Sequence, residues 1–116
     1  MTIMENREKW ATALESGEFH QVQAKIVDGG FGHPVDPSVG MCCLGVAQYL
    51  FEKHMFTAPQ HTQVEAGLGA MCSNNVRELL GLEKTDCNLF MDFNDNLDYS
   101  FPQIAAEVRA LPPVAG

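Results

Sequence analysis

The sequence predicts one small α+β domain, residues 1–116, that is mostly helical, with about four helices and a minor β element. The length is that of a single domain, and 46% of the residues are apolar, which is enough for one hydrophobic core. Four segments have apolar side chains at helical spacing, and some of them also have capping residues at their ends. Residues 18–27 instead alternate between polar and apolar side chains.

Residues 5–17 and 18–27 are predicted to form a helix followed by a short strand. In the first segment Gly17 occupies the position where a glycine commonly ends a helix. Trp10 lies on the apolar side of that helix, and we expect it to be a core anchor whose indole N–H has a partner. Alternation in the second segment favours a half-buried strand, although its alanine, lysine and glutamine residues leave a helix as the alternative.

A glycine- and proline-rich loop, residues 28–40, leads into an apolar helix predicted over residues 41–54. Loops of this length in compact domains are usually functional or mobile. Cys42 and Cys43 stand where the helix begins, and a helix N-terminus attracts anions and lowers the pKa of a nearby thiol. Helical spacing places Cys43 on the apolar face and leaves Cys42 as the candidate for chemistry. The alternative is that both thiols are small buried hydrophobic groups.

The second half of the chain is predicted to contain two further helices separated by less regular segments. Residues 55–69 are interrupted by a proline and are predicted to be a loop. A serine N-cap and a final glycine indicate a helix over residues 73–81, and a capping box indicates another over residues 100–111. Residues 87–93 are short and apolar, typical of a buried strand or an irregular core segment. The Asn94–Asp95 pair that follows favours a turn.

The charge of the chain limits the classes of partner. Fifteen acidic and seven basic residues give a net charge of −8. This argues against binding bare nucleic acid or an anionic membrane surface, because both require basic protein surface. We expect a cytoplasmic protein, since the sequence shows no export signal, no apolar run long enough to span a membrane, and four cysteines of the kind that stay reduced in the cytosol. The cysteines contain no C-x-x-C pair and the histidines are scattered, so neither a metal site nor a cofactor is expected.

Several short motifs resemble, in order, a family of small uncharacterised proteins of bacteriophages and prophages. The resemblance covers most of the chain, and its most specific parts are Cys-Cys-Leu-Gly-Val at residues 42–46 and the Asn94–Asp95 pair. The remaining landmarks are Trp-x-x-Ala-Leu-x-Ser-Gly at residues 10–17, Leu-Gly-Leu at 80–82, and Ser-Phe-x-x-Ile-Ala at 100–105. The resemblance implies a phage-borne protein that acts in the bacterial cytosol, and it implies no particular activity. Because two motifs far apart in sequence belong to one pattern, we expect Asn94–Asp95 to lie against the junction at Gly40–Cys43.

The leading hypothesis for function is an accessory protein that binds and sequesters a small, nucleotide-derived host immune signal. A glycine loop at a helix N-terminus can supply N–H donors, and nearby polar and aromatic side chains can complete a site. Sites of this kind are often completed at subunit interfaces, so a homo-oligomer is expected. The candidate ligand-binding residues are Gln21, Lys25, Gly30, Phe31, Cys42, Cys43, Asn94 and Asp95.

Two alternatives from other classes remain open. The first is an acidic inhibitor that docks on a host protein, which the net charge of −8 favours. The second is a cysteine-dependent hydrolase with Cys42 as nucleophile, His33 as base and Asp95, or alternatively Asn94, as the third member. The sequence contains none of the common catalytic or nucleotide-binding motifs, so an enzyme is the less favoured class.

Overall fold

A computed structural model describes residues 2–69 and 71–114, which form six α-helices and no β-strand. The helices are α1 (Ile3–Glu15), α2 (Cys43–Glu52), α3 (Gln60–Glu65), α4 (Asn74–Leu79), α5 (Lys84–Asp95) and α6 (Phe101–Arg109), and a 3₁₀ helix (Lys53–Thr57) directly follows α2. The predicted mostly helical single globule is confirmed. The predicted count of four helices and the minor β element are not confirmed, since the described residues form six helices and only two isolated β-bridges.

Helices α1 and α6, the first and last helices of the described residues, pack against each other. Both begin with a capping box, formed by Thr2 and Glu5 in α1 and by Ser100 and Gln103 in α6. The boxes satisfy backbone N–H groups that would otherwise lack partners at a helix start. Exposed ion pairs also connect the two helices, because Arg109 contacts Glu8 at 2.9 Å and Glu15 at 2.7 Å.

Trp10 of α1 lies at the centre of the core, where it contacts α2 and α5. Its side chain is fully buried, and its indole N–H donates to the carbonyl oxygen of Cys43 at 2.9 Å. The Trp10 and Phe90 ring centroids are 5.2 Å apart, a spacing typical of packed aromatic pairs. The prediction that Trp10 anchors the core with a satisfied N–H is confirmed.

Residues 18–27 form neither the predicted strand nor the alternative helix. The segment runs beside the start of α2 and pairs with Met41 only through two isolated bridges, at Gln21 and at Val27. Its alternating pattern fails at Ala24, which is exposed and has a left-handed φ of 61°. Ile26 and Val27 are consecutive, yet both are buried. The segment therefore wraps around a helix end, a geometry that a regular pleat cannot produce.

Residues 87–95 belong to helix α5, which corrects the predicted strand or irregular core segment at 87–93 and the predicted turn at Asn94–Asp95. The helix starts earlier than the apolar run because the backbone N–H of Glu83 donates to the Asp86 carboxylate at 2.8 Å. Buried Cys87, Phe90 and Asn94 lie on one helical face. The left-handed turn residue that follows the helix is Asp98, with φ of 58°.

The remaining predicted boundaries agree with the structure to within a few residues, except in the 55–69 loop. That loop contains the end of the 3₁₀ helix and all of α3, and Pro59 is the N-cap of α3 where the sequence suggested an interruption. Ser73 caps α4 as predicted, by accepting a hydrogen bond from the N–H of Val76. Within residues 2–69 and 71–114, no helix is both apolar enough and long enough to cross a bilayer.

Candidate functional site

Gln21 connects the irregular 18–27 segment to α5 and α6. Its side-chain N–H group donates to the Asn94 amide oxygen at 2.9 Å and to the Tyr99 carbonyl oxygen at 2.7 Å. Its amide oxygen accepts from the N–H of Phe101 at 3.1 Å. Both ends of the Gln21 amide are thus bonded within the protein, which gives this predicted ligand-binding residue a structural role.

Asn94 and Asp95 hold the same segment from the end of α5. Asn94 is fully buried, and its side-chain N–H donates to the carbonyl oxygen of Val22 and to the Asp95 carboxylate, each at 2.8 Å. The same Asp95 oxygen accepts from the N–H of Ala24 at 2.8 Å. The backbone N–H of Met41 donates to the carbonyl oxygen of His20, and the Met41 carbonyl oxygen accepts from the N–H of Val22. Met41 directly precedes the two cysteines. Asn94–Asp95 is therefore connected to the Gly40–Cys43 junction through residues 20–24, which lie between them.

The N-terminus of α2 is covered by residues 25–26. The backbone N–H of Cys42 lies 3.1 Å from the carbonyl oxygen of Lys25 and 3.3 Å from that of Ile26. A Cβ atom placed on Gly45 would lie only 1.9 Å from the Ile26 carbonyl oxygen. The helix start that was expected to hold an anion is thus closed by the protein's own backbone.

The two adjacent thiols are buried and lack the surroundings of a nucleophile. Cys42 is 4% exposed and Cys43 is fully buried. Burial raises the pKa of the Cys42 thiol to about 11, although the N–H groups of Gly45 and Leu44 lower it and the nearby Asp95 charge raises it further. Burial likewise raises the pKa of Cys43 well above its ordinary value. A reactive thiol needs a lowered pKa and access to solvent, so these properties favour buried hydrophobic groups.

The proposed partners of Cys42 are not arranged as a catalytic set. His33 is exposed on the 28–40 loop, and no hydrogen bond joins it to Cys42 in the part of the chain that the structure describes. Asp95 is bonded to Ala24 and Asn94. Lys25, another predicted ligand residue, is exposed and pairs with Asp28 at 3.3 Å.

The glycine loop lies along the 3₁₀ helix. Gly30 adopts φ of 75°, and its N–H donates to the Val27 carbonyl oxygen at 3.3 Å in a tight turn. The N–H of Gly32 donates to the Phe56 carbonyl oxygen at 2.8 Å. The half-buried Phe31 ring stacks on the Phe56 ring with centroids 6.1 Å apart. The N–H groups of Gly30 and Gly32 are therefore bonded within the protein, so these two glycines offer a ligand no free donor.

A cleft of about 480 Å³, here called the Phe56 cleft, opens between this loop and the 3₁₀ helix. It is lined by Pro34, Val35, Lys53, His54, Phe56 and Thr57. Val35 and Phe56 are buried, whereas Lys53 and His54 are exposed. The Nζ atom of Lys53 lies 5.1 Å from the Tyr49 ring centroid. The cleft therefore combines an apolar floor with two basic side chains at its edge.

A second cleft of about 600 Å³, here called the Tyr99 cleft, lies beside the end of α5. Its lining residues are Gln21, Val22, Gln23, Asp98, Tyr99 and Ser100. The side-chain N–H of Gln23 donates to the Asp98 carboxylate at 2.9 Å. Only Gln21 of the predicted ligand residues reaches this cleft.

Sequence reasoning missed most of the residues that line the two clefts. Lys53 and His54 follow an apolar helix and are the only adjacent pair of basic-type residues in the chain, a signal that could have identified them. Asp98 and Tyr99 carry no comparable local signal. Among residues 2–69 and 71–114, no three histidine, cysteine or acidic side chains are placed to hold a metal ion.

The comparisons with other proteins give no match. No protein family, no curated protein and no solved structure matches the chain.

Proposed function

We propose that the protein is a phage-type accessory protein that binds and sequesters a small anionic, nucleotide-derived signal molecule in the bacterial cytosol. The observation that carries this proposal is the Phe56 cleft, in which Lys53 and His54 border an apolar floor. The basic side chains are notable because the whole chain has a net charge of −8.

The cleft offers the two kinds of contact that a nucleotide requires. Exposed Pro34 can contact a planar base above the buried Val35 and Phe56 side chains, and ligand sites are mainly apolar with a few polar groups that fix orientation. Lys53 can place its ammonium group against a phosphate, a charge-assisted contact stronger than a neutral hydrogen bond. The volume of about 480 Å³ lies within the usual range for small-molecule sites.

Binding without chemical change is favoured over hydrolysis by the state of the cysteines. The Cys42 thiol is buried and its pKa is raised to about 11. The Phe56 cleft contains no cysteine and no carboxylate among its lining residues. A bound ligand would thus meet groups that hold it, and no paired acid, base and nucleophile that would cleave it.

The test is a binding panel of cyclic dinucleotides and ADP-ribose derivatives. Each compound is incubated with purified protein, the protein is retained by ultrafiltration and then heated, and both fractions are separated by liquid chromatography. Sequestration predicts a compound that is depleted from the filtrate and released unchanged by heat. New products in either fraction would indicate an enzyme, and complete recovery of every compound in the filtrate would refute ligand binding.

Variants locate the site once a ligand is found. Lys53→Ala should weaken binding at least tenfold, because a lost charge-assisted contact costs roughly 1.5–3 kcal/mol. Lys84→Ala removes the same charge from an exposed position on α5 and should leave affinity unchanged. Lys25→Ala tests the sequence-based placement, and a larger effect there than at Lys53 would refute the Phe56 cleft as the site.

A further inference from the structure

We infer that the Tyr99 cleft is a docking site for an arginine side chain of a basic protein segment. The cleft is separate from the Phe56 cleft and shares no lining residue with it. This inference therefore concerns a second surface and does not depend on the proposed small ligand.

The aromatic wall of the cleft is rigid. The half-buried Tyr99 ring stacks in parallel on the Phe93 ring, with centroids 4.8 Å apart and planes 1° apart. Phe93 is itself held by Phe90, whose ring lies edge-on at 5.7 Å. A ring fixed in this way can receive a planar cation on its exposed surface without first losing conformational freedom.

Asp98 is the charged residue among those that line the cleft, and it forms no salt bridge within the described chain. Asp92 and Asp95 do not line the cleft but lie in the last turn of α5, where no basic residue occurs, and Asp98 follows after two further residues. Carboxylates at a helix C-terminus add to the negative end of the helix dipole, an unfavourable arrangement that a cation would relieve. None of the three salt bridges formed by residues 2–69 and 71–114 involves these aspartates.

An exposed leucine favours a protein segment over a free small cation as the occupant. Leu97 directly precedes Asp98 in the chain and is 51% exposed. A polyamine would leave this apolar side chain in water, whereas a peptide could cover it while an arginine enters the cleft. Nucleic acid is disfavoured because its phosphates would meet the aspartates.

Arginine suits the cleft better than lysine for geometric reasons. The guanidinium group is planar, so it can stack on Tyr99 while its N–H fork donates to the Asp98 carboxylate. The Gln23 side chain already contacts Asp98 at 2.9 Å and fixes that carboxylate in position. A lysine ammonium lacks both the stacking plane and the paired donors.

The test measures binding of a fluorescein-labelled peptide of alternating arginine and glycine by fluorescence anisotropy. The wild-type protein should bind it, and a peptide with citrulline in place of arginine should bind at least tenfold more weakly, because citrulline keeps the shape and loses the charge. The lysine peptide should also bind more weakly than the arginine peptide. No binding of the arginine peptide would overturn the inference.

A matched pair of variants distinguishes binding at the Tyr99 cleft from general attraction to the net negative charge of the protein. Asp98→Asn is expected to preserve the fold, because asparagine tolerates the left-handed backbone at φ of 58°. It should weaken peptide binding about tenfold, as for a lost contact to a charged group. Glu65→Gln makes the same charge change on exposed α3 and should change affinity less than twofold. Equal effects of the two variants would mean attraction to net charge alone and would refute the site.

Two further measurements test whether the occupant of the Tyr99 cleft is a protein segment and whether it binds independently of the Phe56 cleft. Spermidine that binds as tightly as the peptide, with the same loss in Asp98→Asn, would refute docking of a protein segment. Lys53→Ala should leave peptide binding unchanged, because Lys53 lines only the Phe56 cleft. The small-ligand proposal can therefore fail while peptide binding at the Tyr99 cleft persists, and the reverse also holds.

Discussion

Gly45→Ala tests whether residues 25–26 really close the start of α2. Gly45 lies inside a helix, and intrinsic helix propensity alone predicts that alanine would stabilise it by about 1 kcal/mol. The structure predicts the opposite. A Cβ atom at this position would lie 1.9 Å from the carbonyl oxygen of Ile26 and 2.9 Å from the Cβ atom of Met41.

The expected loss of stability in Gly45→Ala can be estimated from the backbone shift that the added Cβ atom requires. Real Cβ contacts are essentially never closer than 3.0 Å, so the Ile26 backbone must shift by about 1 Å. That shift strains the hydrogen bond from the Cys42 N–H, worth about 1 kcal/mol, and disturbs the buried Ile26 and Val27 side chains. Overpacking of this kind costs about 1–3 kcal/mol. After the gain in helix propensity, we expect a net loss of about 1–3 kcal/mol.

Thermal and urea unfolding of the wild type and two glycine variants would measure this. For a domain of this size, the expected loss lowers Tm by roughly 4–12 °C. Gly69→Ala is the matched control, because no atom lies within 4 Å of its added Cβ, and it should change stability by less than about 0.5 kcal/mol. An unchanged or higher Tm for Gly45→Ala would refute the packing of residues 25–26 on α2.

Three further predictions concern a buried amide, the buried thiols and a half-buried carboxylate. Asn94→Ala should lower the free energy of unfolding by about 1–3 kcal/mol in urea, because buried partners lose their hydrogen bonds, and an unchanged midpoint would contradict this. All four cysteine thiols are buried, so iodoacetamide at pH 8 should leave the native protein unmodified by intact mass and add four groups only after unfolding; rapid labelling of the native protein would contradict this. Burial alone would raise the pKa of Glu52, but hydrogen bonds from Ser73, Asn75 and Gln48 lower it overall. The Glu52 carboxylate therefore stabilises the fold above pH 4.5 and loses this contribution on acidification, so the stability gap between wild type and Glu52→Gln should shrink below that pH; a constant gap would contradict this.

The sequence predicted helices where short-range signals set their ends. Ser73 and Ser100 accept hydrogen bonds from N–H groups three residues later, and such caps depend only on neighbours in the chain. Gly17 adopts the left-handed φ of 78° that its position after α1 suggested. Local chemistry decides these features, so a single sequence contains enough information to predict them.

One error lies where distant contacts decide the structure, and the other lies where a local signal was missed. Residues 18–27 alternate like a strand, but their hydrogen bonds go to Met41 and to the ends of α5 and α6, and Ala24 breaks the pleat. Residues 87–93 are too short and apolar to distinguish a strand from a helix by themselves, whereas the bond from the Glu83 N–H to the Asp86 carboxylate starts a helix before them. Neither outcome can be derived from periodicity alone.

None of the predicted ligand-binding residues lines the Phe56 cleft, for a related reason. The sequence identified Gln21, Asn94 and Asp95 as important polar residues near the cysteine junction, and the structure brings them together there. It could not show that their hydrogen-bonding groups would be used within the protein. The Phe56 cleft was missed because it exists only once Val35 in the loop folds against a helix that follows it in sequence.

The two clefts are lined by charged residues of opposite sign, Asp98 in one and Lys53 in the other, and this makes salt a test of both proposals together. Peptide docking at Asp98 draws on the long-range field of a chain with net charge −8, so its affinity should fall steeply with added salt. An anionic ligand at Lys53 is repelled by that same field at long range and attracted only by short-range contacts inside the cleft. Salt screens the repulsion between exposed charges beyond about 10 Å at 0.1 M more than it screens the close contact. Affinity for the small ligand should therefore change little or rise slightly between 0.05 and about 0.3 M salt, while peptide affinity falls. Parallel steep losses for both would mean that the anionic ligand does not bind through short-range contacts at Lys53, and would leave the Phe56 cleft without support.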